Sequence, residues 1–321
     1  MNKKLIRILK ISIPLFLGIF LIWYSLNSST AQERQQLWQS ILDANKFWII
    51  VSFLLGTISH FSRAYRWKYM LEPMGYKSSQ SNRFMAVMAA YLANFGIPRS
   101  GEVLRAVTLT TYEDVPFEKG FGTIISERVA DLLILMLIVG VALIFQTDDL
   151  LAYLQDQNID PFNTFLIFLG LVGIIILGLN IVRRSKWLPF QKIRTLAKGL
   201  LEGMKSILKM KQKWAFIFHT AFIWTLYLLM FFVIQLSIPE TSNTPVGIIM
   251  AAFVVGSFAV SATNGGIGVY PLAVGGVLMF FGVQEHAAEA FGWISWATQT
   301  AVVLIFGGLS FILLPLLNNR K

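Results

Sequence analysis

Three short charged runs stand out in a chain that is otherwise poor in charge. Arg99, Glu102 and Arg105 recur every three residues, so they share one side of a helix. Glu127, Arg128 and Asp131 head a long apolar stretch, and Glu127 and Asp131, four apart, face the same way. Arg63 and Arg66 close an earlier apolar stretch and are followed by Trp67 and Lys68. A planar guanidinium binds phosphate oxygens through two parallel hydrogen bonds, so one reading is a polar cavity in which arginine forks hold a phosphate. The acids then balance the arginine charge, or take an amine or a proton. The other reading is structural: Glu127 and Asp131 pair with Arg99 and Arg105 and lock neighbouring helices together. A buried pair costs far less than a buried lone charge. The two readings are compatible.

Two glycine-bearing tips belong to the same constellation. One reads Asn94-Phe95-Gly96-Ile97-Pro98-Arg99, the other Asn264-Gly265-Gly266-Ile267-Gly268. Asn94 and Asn264 supply amides, and a helix restarting near Ser100 after Pro98 points its positive N-terminal end at the cavity. Gly96, Gly265, Gly266 and Gly268 allow close backbone approach to a ligand, or close helix packing. Other chemistries are absent. There is no Cys, and the three His, at 60, 219 and 286, lie far apart. No phosphate loop, zinc-protease helix or serine elbow occurs. The expectation is a binding site without a catalytic residue, a metal or a cofactor, in a protein that is not an enzyme.

The elements that must position these residues follow from composition. Of 321 residues, 55% are hydrophobic and 14% charged, against about 25% charged in soluble domains. The apolar residues come in blocks, and a bilayer crossing needs about 20 of them. Leu5–Leu26, Phe47–Ser62, Phe121–Phe145, Phe162–Val182, Trp214–Leu236 and Ala290–Leu314 are six candidate spans. The first is too long for the apolar core of a signal peptide and is read as a retained helix. Phe84–Ile97, and the pair Val246–Thr263 and Val269–Gly282, are interrupted by Gly, Asn or Pro. Broken backbone at membrane depth is tolerated where protein or a wet cavity satisfies it, so both are read as re-entrant hairpins. The fold expected is an all-α polytopic membrane protein with about six full transmembrane helices and two re-entrant helical hairpins, one transmembrane domain over residues 1–321.

Charge distribution agrees with this count. With the N-terminus in the cytoplasm, the inner segments hold 25 of the 27 Lys and Arg, while the outer loops hold only Arg34 and Lys46 against nine acids. That matches the positive-inside rule, with N- and C-termini both cytoplasmic in a cytoplasmic (inner) membrane. The net charge of +10 is therefore assigned to the membrane surface and not to nucleic acid. Residues 183–213 form a basic amphipathic segment, either an interfacial helix on anionic headgroups or a connector under the spans. Asn94–Ile97 aligns with Asn264–Ile267 at a spacing of 170 residues. The halves, about 47–145 and 214–314, then form an inverted pseudo-repeat whose broken helices meet near the midplane.

The runs Arg63-Ala64-Tyr65-Arg66-Trp67, Asn94 to Arg105 and Ser126-Glu127-Arg128-Val129-Ala130-Asp131 resemble the membrane family related to the N-terminal region of lysylphosphatidylglycerol synthase. The resemblance covers nearly the whole chain. It implies a lipid flippase that moves aminoacylated phosphatidylglycerol between leaflets. It does not imply synthase activity, since the chain shows no acyltransferase-like domain. Where the family's second glycine motif runs Pro-Gly-Gly-x-Gly and then reaches a Glu, this chain has Asn264 in place of the Pro and Pro271 about where the Glu stands.

The leading expectation is a translocase for anionic or aminoacylated phospholipid, or another lipid-linked phosphate. Arg63, Arg66, Asn94, Pro98, Arg99, Glu102, Arg105, Glu127, Arg128, Asp131, Asn264, Gly265, Gly266 and Gly268 form its site. The partner expected is membrane phospholipid through its anionic headgroup, with a homo-oligomer or a separate lipid-modifying enzyme as protein partners. The alternatives are a secondary transporter for a small anionic solute, a membrane-embedded lipid-modifying transferase, and a structural partner of another membrane protein.

Overall fold

The computed structural model describes residues 20, 23, 27, 30–97, 100–145 and 210–318. Among the described residues the chain is all helical. The helices are α1 (Ala31–Asp43), α2 (Lys46–Leu71), α3 (Gln80–Gly96), α4 (Ser100–Glu113), α5 (Phe117–Phe145), α6 (Lys213–Gln235), α7 (Val246–Ala262), α8 (Val269–Phe280) and α9 (Glu285–Leu317). Four elements are long and apolar enough to cross a membrane: α2 with the turn after it, α5, α6 and α9. At 1.5 Å per residue, α5 alone reaches about 43 Å, beyond the roughly 30 Å hydrocarbon core. Their outer faces carry exposed Leu137, Ile144, Phe218, Ile312 and Leu316, which no water-facing surface would gather so densely. The chain is a multi-pass integral membrane protein.

These four coincide with four of the six spans expected from sequence. The other two, Phe162–Val182 and nearly all of Leu5–Leu26, lie outside the described residues. So do Pro98, Arg99, most of the basic segment 183–213 and the two ends of the chain. One boundary moves. α2 continues past Ser62 to Leu71, because Arg63 and Arg66 find buried partners and need not mark the end of the apolar run.

Shorter helices come in two pairs. α3 and α4 pack against each other, as do α7 and α8. With 17, 14, 17 and 12 residues, they span about 18–26 Å each, short of a full crossing. The first pair is stitched across its break by side chains. Asn94 Oδ1 accepts from the Gly101 N–H at 2.8 Å, and Ser100 Oγ donates to the Ile97 carbonyl at 2.8 Å. The second pair is joined by Gly265, Gly266 and Gly268, with φ of 67°, 79° and 70°, the left-handed region that L side chains avoid.

The helix pairs in contact obey an exchange. α2 packs on α6. Replacing α2, α3, α4 and α5 by α6, α7, α8 and α9 turns α3·α4 into α7·α8 and α4·α5 into α8·α9. It also turns α9·α3 into α5·α7 and α2·α3 into α6·α7, and all four image pairs are in contact. Each half therefore sends the first helix of its short pair onto the last long helix of the other. Glycine allows close approach both at the α9·α3 crossing and within the second short pair. A Cβ at Gly307 of α9 would lie 2.7 Å from Leu92 of α3, and one at Gly256 of α7 would lie 2.8 Å from the Tyr270 ring of α8.

Outside this frame, α1 lies against α9. Its start is a capping box, in which Thr30 Oγ1 accepts from the Glu33 N–H at 3.2 Å and Glu33 Oε2 accepts from the Thr30 N–H at 2.6 Å. Those bonds hold the Glu33 carboxyl below its usual value of 4.5. A depressed pKa contributes stability that is present above 4.5 and is lost as pH falls through the lowered value. The protection of the Glu33 and Arg34 amides, relative to intrinsic exchange at each pH, should therefore fall in the wild type as pH drops below 4.5. In Glu33→Gln the same amides should show no such step.

Candidate functional site

Five of the sequence-predicted side chains converge between α2, α4 and α5. Arg63 and Arg66 come from α2, Arg105 from α4, and Glu127 and Asp131 from α5, and all five are buried. Positions 63 and 66 share one face of α2, as 127 and 131 share one face of α5. That places two cations against two carboxylates within about one turn of each helix. Arg63 Nη1 lies 2.8 Å from Glu127 Oε1 and 2.5 Å from Asp131 Oδ2. Arg66 lies 2.9 Å from Glu127 and 3.0 Å from Asp131. Arg105 approaches Glu127 with both terminal nitrogens, at 3.2 and 2.8 Å. Of the two pairings expected from sequence, Arg105 makes its own. Arg99 lies outside the described residues, and Arg63 and Arg66 take the remaining carboxylate oxygens.

Aromatic and hydroxyl groups complete this shell. The Arg105 guanidinium lies 3.8 Å from the centre of the Trp67 ring, within the range of a cation–π contact. Trp67 Nε1 is tied to Thr123 at 2.7 Å. From α6, Thr220 accepts from Arg66 at 2.8 Å, Trp224 Nε1 donates to Asp131 at 3.4 Å, and the Tyr227 ring lies 5.9 Å from the Arg63 guanidinium. Sequence reading missed these three. Their spacing of four and three residues puts them on one face of a span, and a polar stripe on so apolar a helix was the available signal.

The network is not neutral within itself. Three arginines face two carboxylates, and Arg63 Nε, Arg66 Nε and Arg105 Nε are buried without an acceptor. Buried guanidinium donors left unpaired are costly.

Arg128 stands apart from the rest. Its side chain is 40% exposed, and it lies 3.7 Å from Glu102 and 3.9 Å from Asp131, too far for hydrogen bonds. Arg128 Nε and Glu102 Oε2 are each buried without a hydrogen-bond partner. Both side chains, with Arg105, Tyr91, Asn94 and Gly101, line a small cavity with room for about one water.

The second tip is adjacent. A Cβ at Gly265 would lie 2.5 Å from the Phe95 ring, so the two glycine-bearing tips touch. Trp296 Nε1 donates to the Gly265 carbonyl at 2.9 Å, and Gly266 faces the side chains of Tyr270 and Val260. What approaches these glycines is the protein's own rings and aliphatic groups. Gly265→Ala should meet both a left-handed φ and the Phe95 ring, and lower the detergent melting temperature more than Gly276→Ala, where a Cβ meets nothing within 4 Å. No group of three His, Asp or Glu among the described residues is placed to hold a metal.

Residues 8–307 match the family described as the lysylphosphatidylglycerol synthase TM region. The chain belongs to that family. Its Arg63–Trp67, Asn94–Arg105 and Ser126–Asp131 runs all lie within the matched region. A UPF0104 membrane protein of Methanocaldococcus jannaschii is 29% identical over 94 residues, which is 28% of this chain and 28% of that relative. The match thus spans under a third of the relative's length. No solved structure matches the chain significantly.

Proposed function

We propose that this chain is a lipid translocase, moving phospholipids with an anionic phosphate, aminoacylated ones included, between the leaflets of the cytoplasmic membrane. In this reading the six spans and two re-entrant hairpins form an inverted repeat over residues 47–145 and 214–314, with both termini cytoplasmic. The exchange of packing partners between the halves, and the contact of the two tips, support it. Rocking one half against the other would expose the site to either leaflet in turn.

The observation that carries the reading is the loose Arg128–Glu102 pair, 3.7 Å apart, at a cavity mouth above a buried network with excess positive charge. Arg128 is 40% exposed and its two ion pairs are too long for hydrogen bonds, so its side chain is open to a phosphate oxygen. Arg63, Arg66 and Arg105 are held by carboxylates and set the positive potential beneath. Arg99, Pro98 and Asn94 belong to the same tip in this reading. Glu102 would occupy the anion's place while the site is empty.

The test is reconstitution in liposomes with acyl-labelled lipids, read by dithionite quenching. Faster flipping of anionic or aminoacylated phospholipid than in empty liposomes is expected. Rates equal to empty liposomes for every lipid, with uptake of inorganic phosphate, would instead select the solute-transporter alternative.

A further inference from the structure

His60 of α2 is 8% exposed, and its Nδ1 is buried without a hydrogen-bond partner. The centre of its ring lies 5.0 Å from that of Tyr91 on α3 and 6.0 Å from that of Tyr227 on α6. Tyr91 also lines the cavity shared by Arg105, Arg128 and Glu102, so one ring borders both the imidazole and the cavity. Tyr227 reaches Arg63 as well, whose guanidinium is 5.9 Å from that ring. Residues 60 and 63 share one face of α2. The charges nearest His60 are thus Arg63 on its own helix and, across Arg63, Glu127 and Asp131 from α5. Further along α6, His219 is hydrogen-bonded to Ser62 at 2.9 Å. From α9 comes no charge, since residues 290–317 contain none.

A neutral imidazole has one nitrogen lone pair that takes up a proton. In the empty site that proton would be a fourth cation beside three arginines that face two carboxylates. A phosphate oxygen at Arg128 supplies the missing negative charge. Linkage then runs both ways: the anion favours the proton, and the proton favours the anion. We propose that His60 is a proton-binding site coupled to anion binding in the Arg105–Arg128 cavity, so that one proton travels with each singly charged headgroup. The imidazole takes its proton from water on the loading side and returns it to water on the other. Lipid and proton cross together without net charge. This rests on the translocase reading above and adds a motive force to it, a pH gradient.

The experiment follows acyl-labelled phosphatidylglycerol in proteoliposomes, a probe whose phosphodiester keeps one negative charge at neutral pH. Potassium and valinomycin on both sides hold the membrane potential at zero, a gradient of about one pH unit is imposed, and albumin extraction reads the leaflet distribution. Wild type should gather the label in the leaflet facing the more alkaline side, faster than in empty liposomes. The limit is about tenfold, the ratio that one pH unit sets for one proton per lipid. His60→Gln should bring the label to an even distribution under the same gradient. His60→Phe, which keeps a ring against Tyr91 and Tyr227, reads the same distribution if the glutamine variant does not fold. An even wild-type distribution reached faster than in empty liposomes overturns the inference and leaves the translocase reading standing. Accumulation that persists in the variants, or loss of all flipping in both, overturns the assignment to His60. Wild-type flipping no faster than in empty liposomes overturns both readings.

Discussion

Glu127→Ala is expected to be the most damaging single substitution in the described chain. It removes both carboxylate oxygens that Arg105 faces and one that Arg63 and Arg66 share, leaving three buried arginines against Asp131 alone. Breaking a buried pair by deleting one partner costs about 3–5 kcal/mol, comparable to the whole stability of a modest domain. The protein should lose its monodisperse peak on size exclusion in mild detergent. Glu127→Gln keeps the volume and one acceptor, and should fall between alanine and wild type. The double variant Glu127→Ala/Arg105→Leu should recover part of the loss, since it removes one of the stranded cations. A Glu127→Ala melting temperature within a degree of wild type would show that these charges are not the lock they are described to be.

Arg128→Ala is expected to do the reverse, losing transport while sparing the fold. The side chain is 40% exposed and its ion pairs are long, so removing it should cost about 0.5 kcal/mol of stability. A charge-assisted hydrogen bond to a lipid phosphate contributes about 1.5–3 kcal/mol, so flipping should fall about 10- to 100-fold. Arg128→Lys keeps the charge without the planar fork, and should restore only part of the rate. Glu102→Gln removes the competing carboxylate and should lower the lipid concentration that gives half-maximal flipping. Equal, small effects at Arg128 and at Arg34, far away in α1, would mean that the cavity mouth is not where lipid binds.

Much of this arrangement was legible in the residues, and what was not has a physical reason. Apolar run length located α2, α5, α6 and α9, because each is a continuous block with few charges. The end of α2 was misplaced by nine residues, since Arg63 and Arg66 look like a water-facing terminus until their partners 61–68 positions away are known. The pairing of Arg105 with Glu127 was readable because both belong to the same charged constellation, whereas the part of Arg63 and Arg66 in it was not. Helical periodicity sees three and four residues ahead, and nothing in it links Arg63 to Asp131. Asn264 drew attention as half of a repeated tip, but only its burial without a partner separates it from Asn94. Pro271 reads in sequence as a missing carboxylate; in the place where Gly101 of the first tip gives its N–H to Asn94, it has no N–H to give.

The exchange of partners between halves constrains how the chain can be made. Residues through 145 leave the ribosome before α6, α7 and α9 exist, yet α9 covers α3, α7 covers α5, and Thr220 and Trp224 complete the shell around Arg66 and Asp131. The early half must wait in the membrane with a charged seam unsealed, and only synthesis of the late half closes it. A nascent chain stalled near residue 200 should therefore be a substrate for insertion chaperones and quality-control proteases. Supplying residues 210–321 as a separate polypeptide should protect it.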